Sequence, residues 1–292
     1  MEGVILKAMS GFYYVRSGSD TYSCRARGRF RLDGSTPLVG DRVSFSVNAD
    51  GSGTVTELLP RNNFFLRPAV ANLDALVMIV SAAIPITDPF LIDRLAVRCE
   101  KNDCPFMIVI NKCDLDPADK LTEIYQKTPY PCLRVSAKTG QGMRELQNAI
   151  RGKCCCFTGN SGVGKSSLLN AIDPRFSIET ADVSYKLGRG KHTTRHVEFF
   201  DLGDNTLIAD TPGFASLEET GTDPIRKQEL AGLFPEFAPY LDGCRFLDCA
   251  HINEPDCSVR QAVDDGVIHQ SRYHSYKRLY DEAAQYKDWE LS

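Results

Sequence analysis

The chain has 292 residues, 42% of them apolar, and 34 basic against 38 acidic side chains give a formal net charge of −4. That is more chain than one domain needs and enough apolar residues for buried cores, so two or three globular domains are expected. No apolar run approaches the ~20 residues of a membrane span, the opening residues 1–7 lack a signal peptide's basic and long apolar regions, and the mild acidity leaves nucleic-acid binding only to local basic patches. Eleven cysteines, three of them consecutive at Cys154, Cys155 and Cys156, argue against a secreted disulfide framework and for a cytoplasmic protein with reduced or metal-bound thiols.

Residues 4–59 carry short alternating apolar segments, at 12–15, 21–24, 42–47 and 53–59, broken by Gly, Asp and Asn. That pattern predicts a small β-barrel of about five strands. Within it Arg25, Arg27, Arg29 and Arg31 alternate, and a strand's period of two would put all four on one face. Such a face is either solvated or turned toward phosphate; neighbouring Tyr and Phe side chains favour RNA, as in oligonucleotide-binding barrels. Residues 60–68 look like a linker into a second domain.

From residue 76 the pattern becomes α/β. Residues 76–80, 106–110 and 132–135 read as buried strands, and helices are expected over 89–101, entered through Asp88, near 121–126, and over 143–150. The second strand ends in Asn111-Lys112-Cys113-Asp114 and the third in Ser136-Ala137-Lys138. In open α/β sheets, ligands bind outside the carboxyl ends of the strands, where both motifs fall. Asn-Lys-x-Asp reads guanine: the Asp114 carboxylate can accept from N1–H and the exocyclic amino group, and adenine offers neither donor there. Asn111 would brace the base loop against the phosphate loop, the stem of Lys112 would cover a face of the base, and a backbone N–H of the 136–138 turn would reach O6.

The strand 154–158 then runs into Gly159-Asn160-Ser161-Gly162-Val163-Gly164-Lys165-Ser166-Ser167, which fits the phosphate-binding pattern G-x-x-x-x-G-K-[ST] at every required position. Its glycines allow backbone N–H groups to cradle the α- and β-phosphates, Lys165 reaches the β/γ oxygens, and Ser166 supplies a hydroxyl to Mg²⁺. Beyond a polar, glycine-rich stretch at 188–196 and a strand over 197–200, Asp210-Thr211-Pro212-Gly213 closes another buried strand. Asp-x-x-Gly there senses the γ-phosphate, with Asp210 on Mg²⁺ and the Gly213 N–H on the phosphate, and Thr193 or Thr194 completes the Mg²⁺ shell. The residue after Gly213 is Phe214, which cannot orient water as a glutamine would, so His192 becomes the candidate catalytic residue, with His196 the weaker rival.

Residues 223–232 are read as a short helical segment. Cys244, Cys249, His251 and Cys257 follow in the spacing Cys-x4-Cys-x-His-x5-Cys. Three thiolates and one imidazole make a full tetrahedral set for one structural Zn²⁺. Helices are expected over 258–264 and 269–287. Tyr273, Tyr276 and Tyr280 share a face of the second, where they either pack on the zinc loop or, with Arg272, Lys277 and Arg278, contact RNA.

The guanine motifs precede the phosphate loop, the reverse of the common order, which makes a circular permutation. An N-terminal barrel, such a permuted GTPase and Cys244, Cys249, His251 and Cys257 together resemble the ribosome small-subunit-dependent GTPase family (RsgA, also called YjeQ or YloQ), over essentially the whole chain. The resemblance implies a multidomain α/β protein: an OB-fold RNA-binding barrel at 1–62, a circularly permuted P-loop GTPase domain at 63–222 and a zinc-binding helical domain at 223–292. It also implies a GTP hydrolase with Mg²⁺ and one Zn²⁺, a monomer acting on the 30S subunit and its 16S rRNA late in assembly, and a catalytic histidine ahead of the switch threonines at His192. Family members with a third threonine have it where Arg195 stands here. The other class of function compatible with these motifs is a regulatory G protein with a protein partner, its barrel an interaction module.

Overall fold

The computed structural model describes residues 1–28, 30, 36–176, 197–210 and 225–285. Five strands, β1 (Glu2–Met9), β2 (Phe12–Ser17), β3 (Asp20–Ala26), β4 (Arg42–Val47) and β5 (Gly53–Leu58), close a barrel in the order β1-β2-β3-β5-β4. Alternation puts Ile5, Val15, Cys24, Val43, Phe45 and Val55 inside it, and closure removes the exposed edges. The tight β1–β2 turn requires left-handed backbone at Ser10 (φ 52°) and Gly11 (φ 80°), the geometry that matches strand twist.

The expected arginine strand is only partly realised. β3 stops at Ala26; the chain then turns, with the Phe30 N–H donating to the Arg27 carbonyl at 3.2 Å, and Phe30 is buried. Burying that one aromatic outweighs the alternating pattern, so the arginines cannot form one continuous strand face; Arg29 and Arg31 lie outside the described residues. Residues 60–68 are likewise more than a linker. They enter a hairpin of β6 (Phe64–Leu66) and β7 (Ala69–Ala71), in which Val70 bridges to Val39. Gly40 (φ 91°) permits the approach, since a Cβ there would meet the Ala71 carbonyl oxygen at 2.0 Å.

A six-stranded sheet follows, ordered β10 (Cys132–Arg134), β9 (Phe106–Asn111), β8 (Ala75–Ser81), β11 (Cys154–Thr158), β13 (Thr206–Asp210), β12 (Phe199–Gly203), with only the edge strand β12 antiparallel. Every residue of β8 and β9 is buried, as a sheet covered on both faces demands. Cys156 packs with Leu76 and Met78 on one face, and Cys155 and Phe157 with Val77 and Ile79 on the other. Burial pushes the Cys155 thiol up to about 12, so these sulfurs are inert filling. Helices α1 (Pro89–Lys101), α2 (Asp119–Tyr125), α3 (Met143–Ile150) and α4 (Lys165–Ile172) connect the strands. Asp88 caps α1 by accepting the Phe90 N–H at 2.9 Å, as its place before Pro89 predicts. The barrel meets β12 and the residue before it through the ion pairs Arg16–Asp201 and Lys7–Glu198 (2.7 Å).

The C-terminal region holds 3₁₀ turns at Leu230–Leu233 and Pro235–Gly243, then α5 (Ser258–Asp264) and α6 (Gln270–Ala283). Of the helical segment expected at 223–232, the described residues 225–232 are helical only where they enter the 3₁₀ turn Leu230–Leu233, because Gly232 and Pro235 oppose an α-helix there; residues 223 and 224 lie outside the described residues. α6 lies against α1, and its Arg272 is wholly buried between Asp93 (2.6 Å) and Glu236 (2.6 Å), with its guanidinium 4.6 Å from the Phe234 ring centroid. Burial raises the Asp93 carboxyl while Arg272, Ser275 and Tyr125 pull it back. Arg272→Ala would leave two carboxylates without their cation, and the expected loss is ~3–5 kcal/mol. Urea unfolding followed by circular dichroism checks this, and an unchanged midpoint would refute it.

Candidate nucleotide site and candidate metal centre

Strands β8, β9 and β10 build outward in one direction and β11 turns back to the other side of β8. The resulting topological switch point lies between β8 and β11, where open α/β sheets place their ligand crevice. The phosphate-binding pattern leaves β11 into this crevice. Gly162 (φ 80°) and Gly164 (φ 89°) hold left-handed backbone, and a Cβ on Gly164 would meet Asn111 Nδ2 at 2.4 Å. α4 starts at Lys165, whose ammonium is nearly buried and pairs with Asp210 at the end of β13. One cation and one carboxylate from distant segments thus meet at the mouth of the loop.

Asn111 ties two loops together. Its Nδ2 donates to the carbonyls of Val163 (3.0 Å) and Gly164 (3.4 Å), and its Oδ1 accepts the Ala137 N–H (3.1 Å). It is 2% exposed, so this bracing is what satisfies its amide. Ser136 Oγ donates to Asp114 Oδ1 at 2.7 Å and accepts the Thr139 N–H at 3.2 Å, which orients the carboxylate. The 136–141 turn closes on itself through Ser136 N–H to Gln141 carbonyl at 2.9 Å. Sequence reasoning did not find the Ser136 hydroxyl contact with Asp114 or the bond from Lys112 Nζ to the Ile84 carbonyl (2.8 Å); the motifs mark Asp114, Ser136 and Lys112 but not which residues they meet across the sheet end, and Ile84 belongs to no motif.

Asn111, Lys112, Cys113, Asp114, Ser136, Ala137, Lys138, Gly159–Ser167 and Asp210 are therefore gathered at one end of the sheet. His192, Thr193, Thr194 and Gly213 lie outside the described residues, as do Lys191, Arg195, His196 and Phe214.

The second cluster lies in the C-terminal region. One donor atom from each of Cys244, Cys249, His251 and Cys257 lies within 4.8 Å of the others. Cys244 Sγ is 3.5 Å from His251 Nδ1 and 3.9 Å from Cys257 Sγ, and His251 Nδ1 is 3.4 Å from Cys257 Sγ. These separations fit the edges of a tetrahedron with metal–sulfur bonds of ~2.3 Å and metal–nitrogen bonds of ~2.0 Å. Burial first, then the thiols of Cys257 and Cys244, push the Cys249 thiol up to about 12, and burial lowers His251. Gathering three thiolates this way is unfavourable without a cation, so the donor set fits a metal ion. The loop is shaped by Glu254, whose carboxylate accepts the N–H groups of Ala250 (2.9 Å), Ile252 (3.0 Å) and Asn253 (3.0 Å). Tyr273 and Tyr276 of α6 donate to the carbonyls of His251 (2.8 Å) and Ala250 (2.6 Å). Their hydroxyls are spent on the loop, so these two tyrosines take the packing role; Glu254 escaped sequence analysis because a single acid in a loop has no pattern.

The chain matches the family model described as RsgA GTPase over residues 58–220 and the RsgA N-terminal domain over residues 2–55. It is 41% identical over 285 residues to a protein of Caldanaerobacter subterraneus subsp. tengcongensis named small ribosomal subunit biogenesis GTPase RsgA, covering 97% of this chain and 95% of the relative. A Geobacillus kaustophilus protein of the same name is 44% identical over 281 residues, covering 94% of each. Among solved structures, YjeQ from Thermotoga maritima superposes with a TM-score of 0.84 at 36% identity, covering 98% of this chain and 99% of that one. YloQ, described as a circularly permuted GTPase, gives 0.80 at 37% identity, covering 98% and 96%. These matches cover the barrel, the nucleotide loops and the Cys/His cluster of this chain alike, and the chain belongs to the RsgA family of GTPases, enzymes that hydrolyse GTP.

Proposed function

We propose that this enzyme acts on the small (30S) ribosomal subunit during its late maturation and hydrolyses GTP faster when bound to it. The observation that carries this is near-full-length identity above 40% to relatives named for small-subunit biogenesis. Those matches span the barrel and the metal cluster as well as the nucleotide loops. The division of labour follows: residues 1–62 bind 16S rRNA, 63–222 bind and hydrolyse GTP, and 223–292 form the metal-stapled module. It works as a cytoplasmic monomer; no helix among the described residues is long and apolar enough to cross a membrane.

In this reading Gly159–Ser167 hold the phosphates, with Lys165 neutralising the β/γ oxygens, and Asn111–Asp114 with Ser136–Lys138 read guanine. Ser166, Asp210 and Thr194 would hold Mg²⁺, which when bound supplies charge neutralisation at the phosphates. Thr193 and Gly213 complete the switch contacts, and Zn²⁺ occupies Cys244, Cys249, His251 and Cys257. Isolated 30S subunits should raise GTP turnover and 50S subunits should not. No stimulation by 30S, or equal stimulation by both, would refute the assignment.

For activation of water the sequence leaves His192, since Phe214 has no hydrogen-bonding group. His192→Ala is expected to keep GTP affinity and to lower 30S-stimulated turnover by ~10² or more. Single-turnover hydrolysis with subunits present reads this; wild-type turnover, or a loss confined to His196→Ala, would move the role elsewhere.

For RNA the barrel offers Arg25 and Arg27, which line one cavity with Tyr13 and Phe30, and Arg25 also sits 4.6 Å from the Phe12 ring centroid. Replacing both arginines with alanine should flatten the slope of log K against log salt for RNA binding by about one unit per lost phosphate contact. An unaltered slope would mean a solvated face.

A further inference from the structure

The crevice at the switch point has two lips. The phosphate loop after β11 is one, and residues 82–87 after the neighbouring strand β8 are the other. No motif marks this second lip, yet it is tightly built. Ser81 and Thr87, both buried, staple its base: the Ser81 N–H donates to Thr87 Oγ1 at 3.0 Å and the Thr87 N–H to the Ser81 carbonyl at 2.9 Å. Ser81 Oγ donates to the Ala83 carbonyl at 2.8 Å.

Apolar burial does not hold the tip, because Ile84 is 86% and Ile86 69% exposed. Its contacts run instead to both nucleotide loops. The Ile84 carbonyl accepts from Lys112 Nζ at 2.8 Å. The Pro85 ring lies against Gly162, where an added Cβ would come within 3.1 Å of Pro85 Cγ and 3.2 Å of Cδ. Lys112 has φ 66°, the left-handed backbone state that a Cβ disfavours. Its ammonium contact therefore helps fix a strained residue.

We propose that Ile84 and Pro85 are positioning residues for guanine-nucleotide binding. The Ile84 carbonyl holds the Lys112 ammonium so that the lysine stem lies where the base docks, and the Pro85 ring backs the Gly162 turn of the phosphate loop. One stapled loop thereby sets the spacing between base reading and phosphate binding, in concert with Asn111. This rests on the reading of those two loops as the nucleotide site.

The test is the dissociation constant and off-rate of fluorescent GDP in the full-length protein. Pro85→Gly and Lys112→Met should each weaken binding about tenfold, mainly through faster release. Because both act through one loop, the double variant should lose clearly less than the product of the two single losses. Lys112→Arg keeps a donor and an apolar stem and should lose clearly less affinity than Lys112→Met. A general loss of stability would lower the melting temperature and give no such coupling; should Pro85→Gly melt early, Pro85→Ala trims the ring alone and is measured in its place. Wild-type GDP affinity in the proline variant, or losses that simply multiply, would overturn the proposal. Asp114→Asn separates the layers. If it leaves base preference intact, the nucleotide-site reading itself fails; if it alters base preference while the proline variant binds normally, only the positioning role fails.

Discussion

Cys249→Ser is expected to lose its stoichiometric zinc and to unfold the 244–257 loop, with the loss spreading into the helices that pack on it. Apart from a metal, the loop is held by hydrogen bonds to Glu254, Tyr273 and Tyr276 and has no apolar core of its own. Phe246 and Leu247 are exposed, and the buried ligands His251 and Cys257 sit within the Cys/His cluster. Structural zinc contributes ~10–16 kcal/mol of apparent binding free energy at neutral pH, and in a closed four-ligand site that is folding free energy. Serine offers a harder, far less acidic ligand, so most of that contribution goes. The damage should not stop at the loop, because Cys257 and Val259 join the core containing Phe234, Phe237 and Tyr276, and Tyr273 and Tyr276 bond to the loop carbonyls. Elemental analysis and thermal melting of the full-length protein decide it. Chelator treatment of the wild type should reproduce the variant's melting, and Cys132→Ser, outside the cluster, should keep its zinc. One equivalent of zinc with unchanged melting in Cys249→Ser would show that these four residues are not a metal site.

What could be read from the sequence follows a physical divide. Motifs whose chemistry depends on local spacing, such as Gly159 to Ser166, Asn111 to Asp114 and Cys244 to Cys257, were legible because the backbone that positions them is the same short segment. The parallel strands were legible for a similar reason: β8 and β9 are buried on both faces, so each is an unbroken apolar run. The failures come where tertiary contact outvotes local pattern. The alternating arginines predicted a strand that ends at Ala26 because Phe30 turns inward. Residues 60–68 lacked a long apolar run yet pair as a hairpin. Arg272 was legible only as a cation near the tyrosine face, a candidate for RNA in one of two readings, because its partner Asp93 lies 179 residues away in sequence. The bonds Ser136–Asp114 and Lys112–Ile84 escaped because their partners become neighbours only once parallel strands align their ends.

Base selection is where the largest change in binding is expected. Asp114→Asn should weaken guanine-nucleotide affinity by on the order of 10⁴ and bring xanthine nucleotides to or above the affinity of their guanine counterparts. The carboxylate is already oriented: Ser136 Oγ donates to Asp114 Oδ1 at 2.7 Å, and the Thr139 N–H holds that hydroxyl at 3.2 Å. Asparagine has the same shape and its carbonyl oxygen can keep the Ser136 bond, so neither the loop nor the fold should change. What changes is the second group on the side chain, an acceptor in aspartate and an N–H₂ donor in asparagine. Guanine presents N1–H and its exocyclic amino group to that position, so donor would face donor and the base's buried polar groups would go unpaired. Xanthine replaces the amino group with a C2 oxo acceptor and restores the match. A variant that folds normally should therefore exchange one ligand for another, an outcome that loss of structure cannot imitate. Competition of GDP and XDP against a fluorescent nucleotide reads both affinities, and circular dichroism confirms the fold. Unchanged GDP affinity with no gain for XDP would show that Asp114 does not face the base.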